Sequence, residues 1–405
     1  MVDTNSTMYQ LSKDSNFHYE ILRALASSSY DGADINECLV AANSIIPGDF
    51  ESFASSFLKI ANSVYKRALS IAKHKFPVSA RTAFFSAATY FRTDPRIMDF
   101  WTNQTQAFDQ GLALLYPPGQ RFNIKTSEFE IPCIWITPGE EVKPRPTIIL
   151  GNGYDGSQEE MLHVAGLAAL ERGYNVLTYE GPGQPSVRRY QNKGFIPEWE
   201  NVVTPIMDHV LSMTHAVDPK AVALYGLSFG GYLAPRVAAF DHRFAAIMAV
   251  DGVWDFGSII RHIVGPEAMK IHDSGDKAKF DQTIKEFVQP GVPTGVRWGL
   301  EQGMWSFNTN SPFDYVTMVQ NFTLAEVAHK IKTPVFVGDS ENDIFFKGQP
   351  QLMADGIGKH AHLHLFKDKD AIGEHSGLGA LKQQNQVIFD WFQDLLDDKA
   401  HGCGN

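Results

Sequence analysis

From about residue 118 onward, short apolar runs rich in β-formers alternate with stretches of helical periodicity, and this alternation restricts the architecture more than any other feature of the chain. The strand-like runs fall at 129–136, 147–150, 176–179, 222–225, 245–250, 335–337 and 362–366. Helical patterns fit between and after them at about 157–172, 198–216, 229–239, 347–357 and 376–397. Strands separated by helices imply a mostly parallel sheet covered on both faces, an α/β fold. The stretch from about 254 to 325 breaks the rhythm and reads as an insertion after a strand, rich in Trp, Phe, Gly and charge.

Before Pro117-Pro118-Gly119 the pattern is different. Phe17, Ile21 and Leu25, then Phe53, Phe57, Ile60, Val64, Ala68 and Ile71, recur at helical spacing. Helices are expected at 16–28, 34–46, 50–75, 78–93 and 95–114. Gly32, Pro47-Gly48, Pro77 and Pro95 punctuate them. The expected organisation is therefore a helical N-terminal lid or cap domain over 1–117, followed by a catalytic domain over 118–405.

Composition removes several function classes. A chain of 405 residues with 44% hydrophobic and 20% charged residues can bury a large core. A net charge of −11 offers no basic footprint for nucleic acid. Cys38, Cys133 and Cys403 lie far apart, so neither a disulfide framework nor a zinc site is expected. No apolar run approaches the length of a membrane span, and the first fifteen residues carry no secretory signal. The sequons at Asn5, Asn103 and Asn321 then mean little, and the cytoplasm is the expected location. No cofactor or metal is implied; the expected partner is a small molecule, and a homodimer is left open.

The sharpest chemical signal is Gly226-Leu227-Ser228-Phe229-Gly230, which follows the apolar run 222–225 and precedes a helical pattern. A strand–turn–helix is the setting a Gly-x-Ser-x-Gly nucleophile elbow needs, and it identifies the α/β-hydrolase fold. Small neighbours let the turn close, and the serine hydroxyl then projects at a helix N-terminus that favours negative charge. A bare motif of this kind also occurs where serine only caps a helix. The loop Gly151-Asn152-Gly153-Tyr154-Asp155-Gly156 follows another apolar strand. In this fold such a loop supplies one oxyanion N–H, here from Tyr154 or Asp155, and the residue after the nucleophile, Phe229, supplies the other.

A serine nucleophile needs a base, and the base needs an orienting carboxylate; in this fold they follow in the order Ser, acid, His. The segment 333–343 is a strand ending in an acid-rich turn, with Asp343 the preferred acid and Asp339 the rival. His375, in the glycine-rich loop 372–379 before the last helix, is the expected base. His362 and His364 share one face of a strand and read as structural.

At this point the residues resemble a known family. Asp31-Gly-Ala-Asp34, Val78-Ser-Ala-Arg81, Tyr90-Phe-Arg92, the Gly-Tyr-Asp-Gly loop, Glu180-Gly-Pro-Gly-Gln-Pro185 with Arg188-Arg189, Val250-Asp-Gly252, Gly303-Met-Trp305 and Gly373-Glu-His375 are similar to the fungal yellowish-green-type hydrolases that shorten polyketides. More distantly they resemble dihydroxypseudooxynicotine hydrolase and FrsA-like hydrolases. The resemblance implies a helical region folded over the core, a Ser228–Asp343–His375 triad, and hydrolysis of a carbon–carbon bond in a β-dicarbonyl polyketide. Ser376, where many relatives have cysteine, and Phe17, where tryptophan is common, depart from the pattern without touching the triad.

An ester or lactone, or an acyl transfer or cyclisation, would use the same machinery, and a non-catalytic binding protein is the remaining alternative. Tyr90 and Arg92 either hydrogen-bond substrate oxygens or tie the helical region to the core. Trp254 and Trp305, with Trp298 and Phe307, either line a pocket for a flat ligand or simply pack. Arg188 and Arg189 read as links between the helical region and the core through ion pairs.

Overall fold

The computed structural model describes residues 8–92, 98–289 and 291–400. Asn5, Pro95 and the tail containing Cys403 lie outside the described residues, as does the start of the helix expected at 95–114.

Eight strands form one sheet: β1 (Gln120–Lys125), β2 (Glu130–Ile136), β3 (Arg145–Gly151), β4 (Asn175–Tyr179), β5 (Val217–Leu227), β6 (Ala246–Val250), β7 (Val335–Ser340) and β8 (Ala361–Phe366). Their order is β1-β2-β4-β3-β5-β6-β7-β8. β2 runs antiparallel to both β1 and β4, and every other pairing is parallel. The order reverses between β4, β3 and β5, which places the carboxyl ends of β3 and β5 side by side, with Gly151 in register with Gly226. Clefts form at such reversals, at the carboxyl ends of the strands. The fully buried strand β6, Ala-Ile-Met-Ala-Val, reads as an unbroken apolar run because both faces are covered. β1 escaped the sequence reading because it is a largely exposed edge strand with polar and charged residues at alternate positions.

The N-terminal region folds as α1 (Ser15–Ala26), α2 (Ile35–Ala42), α3 (Phe50–Ser70), α4 (Pro77–Phe91) and α5 (Met98–Leu112). Aspartates start the first three: the side chains of Asp14, Asp34 and Asp49 accept backbone N–H bonds from the first turns. Proline opens α4 at a position where its missing N–H costs nothing. On α3 the buried residues are Phe53, Phe57, Ala61, Val64 and Ala68, one stripe at helical spacing. Phe53, Phe57, Ala61 and Val64 join Phe17, Ile21, Phe85 and Phe108 in an apolar cluster that continues into Ile148, Leu150 and Val176 of the sheet, while Ala68 packs with Ala80, Ala83 and Phe84.

Among its described residues the interruption after β6 contains five α-helices, Phe256–Val264, Pro266–Asp273, Lys277–Phe287, Thr294–Ser306 and Pro312–Val319. They pack on the opposite face of the sheet from the N-terminal region. The helix expected over 157–172 is instead Gln158–Met161, a π-helical segment Leu162–Gly166, and Leu167–Glu171. Periodicity cannot reveal such a change of winding, since it turns on one extra residue in the hydrogen-bonded ring. Among the described residues no helix is long and apolar enough to cross a membrane.

Candidate active site

The elbow forms because two glycines remove what would collide. A Cβ on Gly226 would lie 2.0 Å from the Gly230 oxygen, and one on Gly231 would lie 2.5 Å from the Asp251 oxygen. Ser228 takes φ 57°, the left-handed region that L-residues seldom occupy. Its N–H donates to the Val250 oxygen (3.0 Å) and its carbonyl accepts from the Gly231 N–H (2.7 Å). The strained turn is held from both sides.

Ser228 Oγ lies 2.9 Å from His375 Nε2. His375 Nδ1 in turn lies 2.9 Å from Asp343 Oδ2. Asp343 Oδ1 accepts backbone N–H bonds from Phe345 (2.7 Å) and Phe346 (2.9 Å), which fixes the carboxylate toward the imidazole. Burial works against the Asp343 charge, but His375 and these donors hold its carboxyl below the usual range. Burial likewise works to lower His375, and the carboxylates of Asp251 and Asp343 outweigh it, raising the imidazole to about 9. Asp339 is not a partner of His375. Burial, then the charges of Asp343 and Asp251, push its carboxyl up to about 6.

The loop after β3 reaches over the elbow. A Cβ on Gly153 would stand 2.8 Å from both the Leu227 oxygen and the Phe229 nitrogen, so only glycine allows this approach. Among the described residues, the backbone N–H groups of Tyr154, Asp155 and Phe229 have no acceptor within the protein. Unpaired backbone donors are what a developing oxyanion requires. Gln184, from the Gly-Pro-Gly-Gln-Pro run, fixes the loop. Its Nε2 donates to the oxygens of Asn152 (2.9 Å) and Gly153 (3.2 Å), and its Oε1 accepts from the Gly181 N–H. Glu180 accepts the N–H groups of Gln158 (2.8 Å) and Ser186 (2.5 Å), capping two helix starts.

A largely apolar pocket opens above Ser228 and His375. Its walls include Tyr19 from α1, Tyr154 from the loop, Phe256, Ile260 and Trp298 from the inserted helices, and Phe345. Asp155 also reaches the pocket, but its carboxylate is bound by Arg23 Nη1 at 2.9 Å.

Two readings are open from sequence for Tyr90, Arg92, Trp254 and Trp305, and none of the four lines the pocket above Ser228. Tyr90 is fully buried and its hydroxyl bonds to the Asp34 backbone, while Arg92 pairs with Glu20 at 2.7 Å. Tyr90 ties α4 to the segment before α2, and Arg92 ties it to α1 and, through Asp155 at 3.9 Å, to the loop after β3. Trp254 packs over Gly356, and Trp305 is covered by the guanidinium groups of Arg188 and Arg189 at 5.4 and 5.2 Å. Arg189 also lies over Trp101 of α5 at 5.1 Å, so it links the helical region to the core by cation–π contact. Of the aromatic residues expected in the insertion, Trp298 alone lines the pocket.

Two residues near the base were not singled out from sequence. Tyr19 sits with its ring centroid 5.8 Å from that of His375. Its helical spacing marked it only as one more residue of α1. Asp251, inside the Val-Asp-Gly run, lies 3.4 Å from His375 Nδ1. Its position directly after a strand was the available signal.

An elbow serine, a buried imidazole and an acid at the carboxyl edge of a mostly parallel sheet define an α/β hydrolase. Residues 148–377 match the alpha/beta hydrolase family, and the chain belongs to it. It is similar along nearly its whole length to fungal hydrolases. One is the alpha/beta hydrolase psoB of Aspergillus fumigatus, 31% identical over 95% of this chain and 94% of that protein. Another is hydrolase LUC6 of a Fusarium species, 29% identical over 96% and 98%. A third is the 20-hydroxy-prefusarin hydrolase FUS2 of Gibberella moniliformis, 27% identical over 94% and 96%. Among solved structures, 2,6-dihydroxy-pseudo-oxynicotine hydrolase superposes with a TM-score of 0.72 at 19% identity, covering 92% of this chain and 95% of that one. The resemblance carried by the sequence motifs, to fungal hydrolases and to the fold of dihydroxy-pseudo-oxynicotine hydrolase, is therefore borne out.

Proposed function

We propose that the protein is a serine hydrolase of polyketide metabolism that cleaves a carbon–carbon bond in a β-dicarbonyl substrate through an acyl-enzyme on Ser228. The observation that carries this reading is the hydrogen-bonded chain Ser228–His375–Asp343, 2.9 Å at each link, beneath an aromatic pocket.

His375 Nε2 takes the Ser228 proton as the alkoxide attacks a substrate carbonyl. The N–H groups of Phe229 and Tyr154 hold the tetrahedral oxyanion, each donor contributing about 3–4 kcal/mol in sites of this type. Collapse breaks the bond to the neighbouring carbon. The electron pair leaves as an enolate delocalised onto the second carbonyl, and the His375 imidazolium protonates it. A water deprotonated by His375 then hydrolyses the acyl ester and frees Ser228. The helical N-terminal region acts as a lid, supplying Tyr19 to the pocket wall. The similarity to a 20-hydroxy-prefusarin hydrolase supports a secondary metabolite as substrate.

Two measurements test the reading. A fluorophosphonate probe should label the wild type and fail to label Ser228→Ala; equal labelling removes Ser228 as nucleophile. Incubation with a β-diketone naphthopyrone and with simple aryl esters, followed by mass analysis, should give a shortened ketone and a released acyl fragment. Turnover of the esters alone would rule out carbon–carbon cleavage.

A further inference from the structure

His375 Nδ1 faces two buried carboxylates. Asp343 accepts at 2.9 Å from the turn after β7, and Asp251 Oδ2 lies 3.4 Å from the same nitrogen at the end of β6. One ligand atom from each of the three side chains falls within a 4.8 Å group, and all three residues are buried. Asp251 is held there deliberately. Its Oδ2 accepts the Ser376 hydroxyl at 2.5 Å and its Oδ1 accepts the Ser340 hydroxyl at 3.2 Å. Its backbone sits at φ 60°, and its carbonyl oxygen is the one that excludes a side chain at Gly231. A buried carboxylate set in strained backbone between two hydroxyl donors is expensive unless a nearby cation develops.

We infer that Asp251 is a second acid of the His375 base, a positioning residue that stands beside the Nδ1 proton with Asp343 and takes it over when Asp343 is removed. This rests on the reading of Ser228 and His375 as nucleophile and base. When the Ser228 proton reaches Nε2, the resulting imidazolium lies between two carboxylates, so each stabilises the same charge. Two carboxylates this close cannot both ionise freely around a neutral ring. Burial, with the Asp343 charge added, raises the Asp251 carboxyl against the pull of His375 and Ser376. The other titratable groups facing this cluster are Asp339 from β7, Tyr225 from β5, and Tyr19 and Arg23 from α1. Among these Arg23 lowers His375, so the rise in its basicity comes from the two acids.

The test is the rate of fluorophosphonate labelling followed from about pH 5 to about pH 10, a range that spans the histidine titration. It needs no natural substrate. Labelling of the wild type should rise as His375 loses its proton. Asp251→Asn keeps the side-chain shape and tolerates the left-handed backbone; it should move that rise to lower pH by about one unit, because one negative charge beside the imidazolium is gone. Added to Asp343→Asn, it should cost about tenfold more labelling, against about threefold in the wild type, since the two acids substitute for each other. Asp251→Gly, which relieves the strained φ, should shift the rise in the same direction and guards against a folding defect in the first variant. A rise that stays in place, with the double variant no slower than Asp343→Asn, would show that Asp251 only packs. Failure of the wild type to label would instead overturn the nucleophile and this inference together.

Discussion

Asp343 and Asp339 illustrate how four residues of chain can separate two roles. Asp343 sits in the turn beyond β7, where two backbone N–H groups and the imidazole satisfy it. Asp339 lies within the strand, where burial first, and then the charges of Asp343 and Asp251, push its carboxyl up to about 6. Asp343→Asn should therefore lower turnover steeply, toward the factor of about 10⁴ seen when a triad acid becomes an amide, and less steeply if Asp251 compensates. Asp339→Asn should retain most activity. Rates on one aryl ester check both, and the opposite ranking would reassign the acid. Gly153→Ala is a second residue-scale expectation. A methyl 2.8 Å from the Phe229 nitrogen must push the loop off the elbow, so kcat should fall by about 10² or more, as when an oxyanion donor is lost. The melting temperature should change little.

At the scale of elements, the coupling of α1 to the loop after β3 is ionic and buried. Arg23 binds Glu160 through Nε (2.5 Å) and Nη2 (2.6 Å), and Asp155 through Nη1. Burial opposes the Glu160 charge, yet Arg23 and Arg92 hold its carboxyl down at about 2. Arg23→Met would remove the cation that binds both buried carboxylates directly, leaving only Arg92 nearby, at a cost of up to about 3–5 kcal/mol. Denaturant unfolding should show that loss, and Arg23→Lys should rescue little of it because a single ammonium cannot serve both partners in this geometry. Activity should fall with stability, since Asp155 is part of the loop proposed to carry the oxyanion donors. Arg23 was passed over in the sequence because an arginine on an amphipathic helix ordinarily reads as solvated. Arg92 and Tyr90, open to either a substrate or a packing role from their residue type, make packing contacts, with Glu20 and Asp155 and with the Asp34 backbone.

At the scale of the whole molecule, titration of the buried base should bend the stability profile. His375 is raised from its ordinary value near 6.5 to about 9 in the folded chain. A raised base stabilises the fold fully below the unfolded value and loses that contribution as pH rises through about 9. Glu180, raised to about 7 by burial and by Glu159, acts in the same direction on passing from about 4.5 to about 7. The melting temperature should therefore fall by on the order of 2–4 °C between pH 6.5 and pH 9, and His375→Gln should flatten most of that slope. Equal slopes in the two proteins would mean that His375 is not held charged by its acids.

The sequence alone determined the alternation of strands and helices, the elbow at Ser228, the loop histidine and the preferred acid, because each is written locally. Strand period, helix period and the glycines of a tight turn act over a few residues, and the order of serine, acid and histidine follows from the connection of one strand to the next. Only the tertiary structure decided which side chains meet. Asp251 and Asp343 are 92 positions apart, Tyr19 and His375 are at opposite ends of the chain, and the polar residues of α4 face other helices instead of the pocket. Those contacts depend on how layers stack over the carboxyl edge of the sheet, a long-range packing outcome that no local pattern encodes.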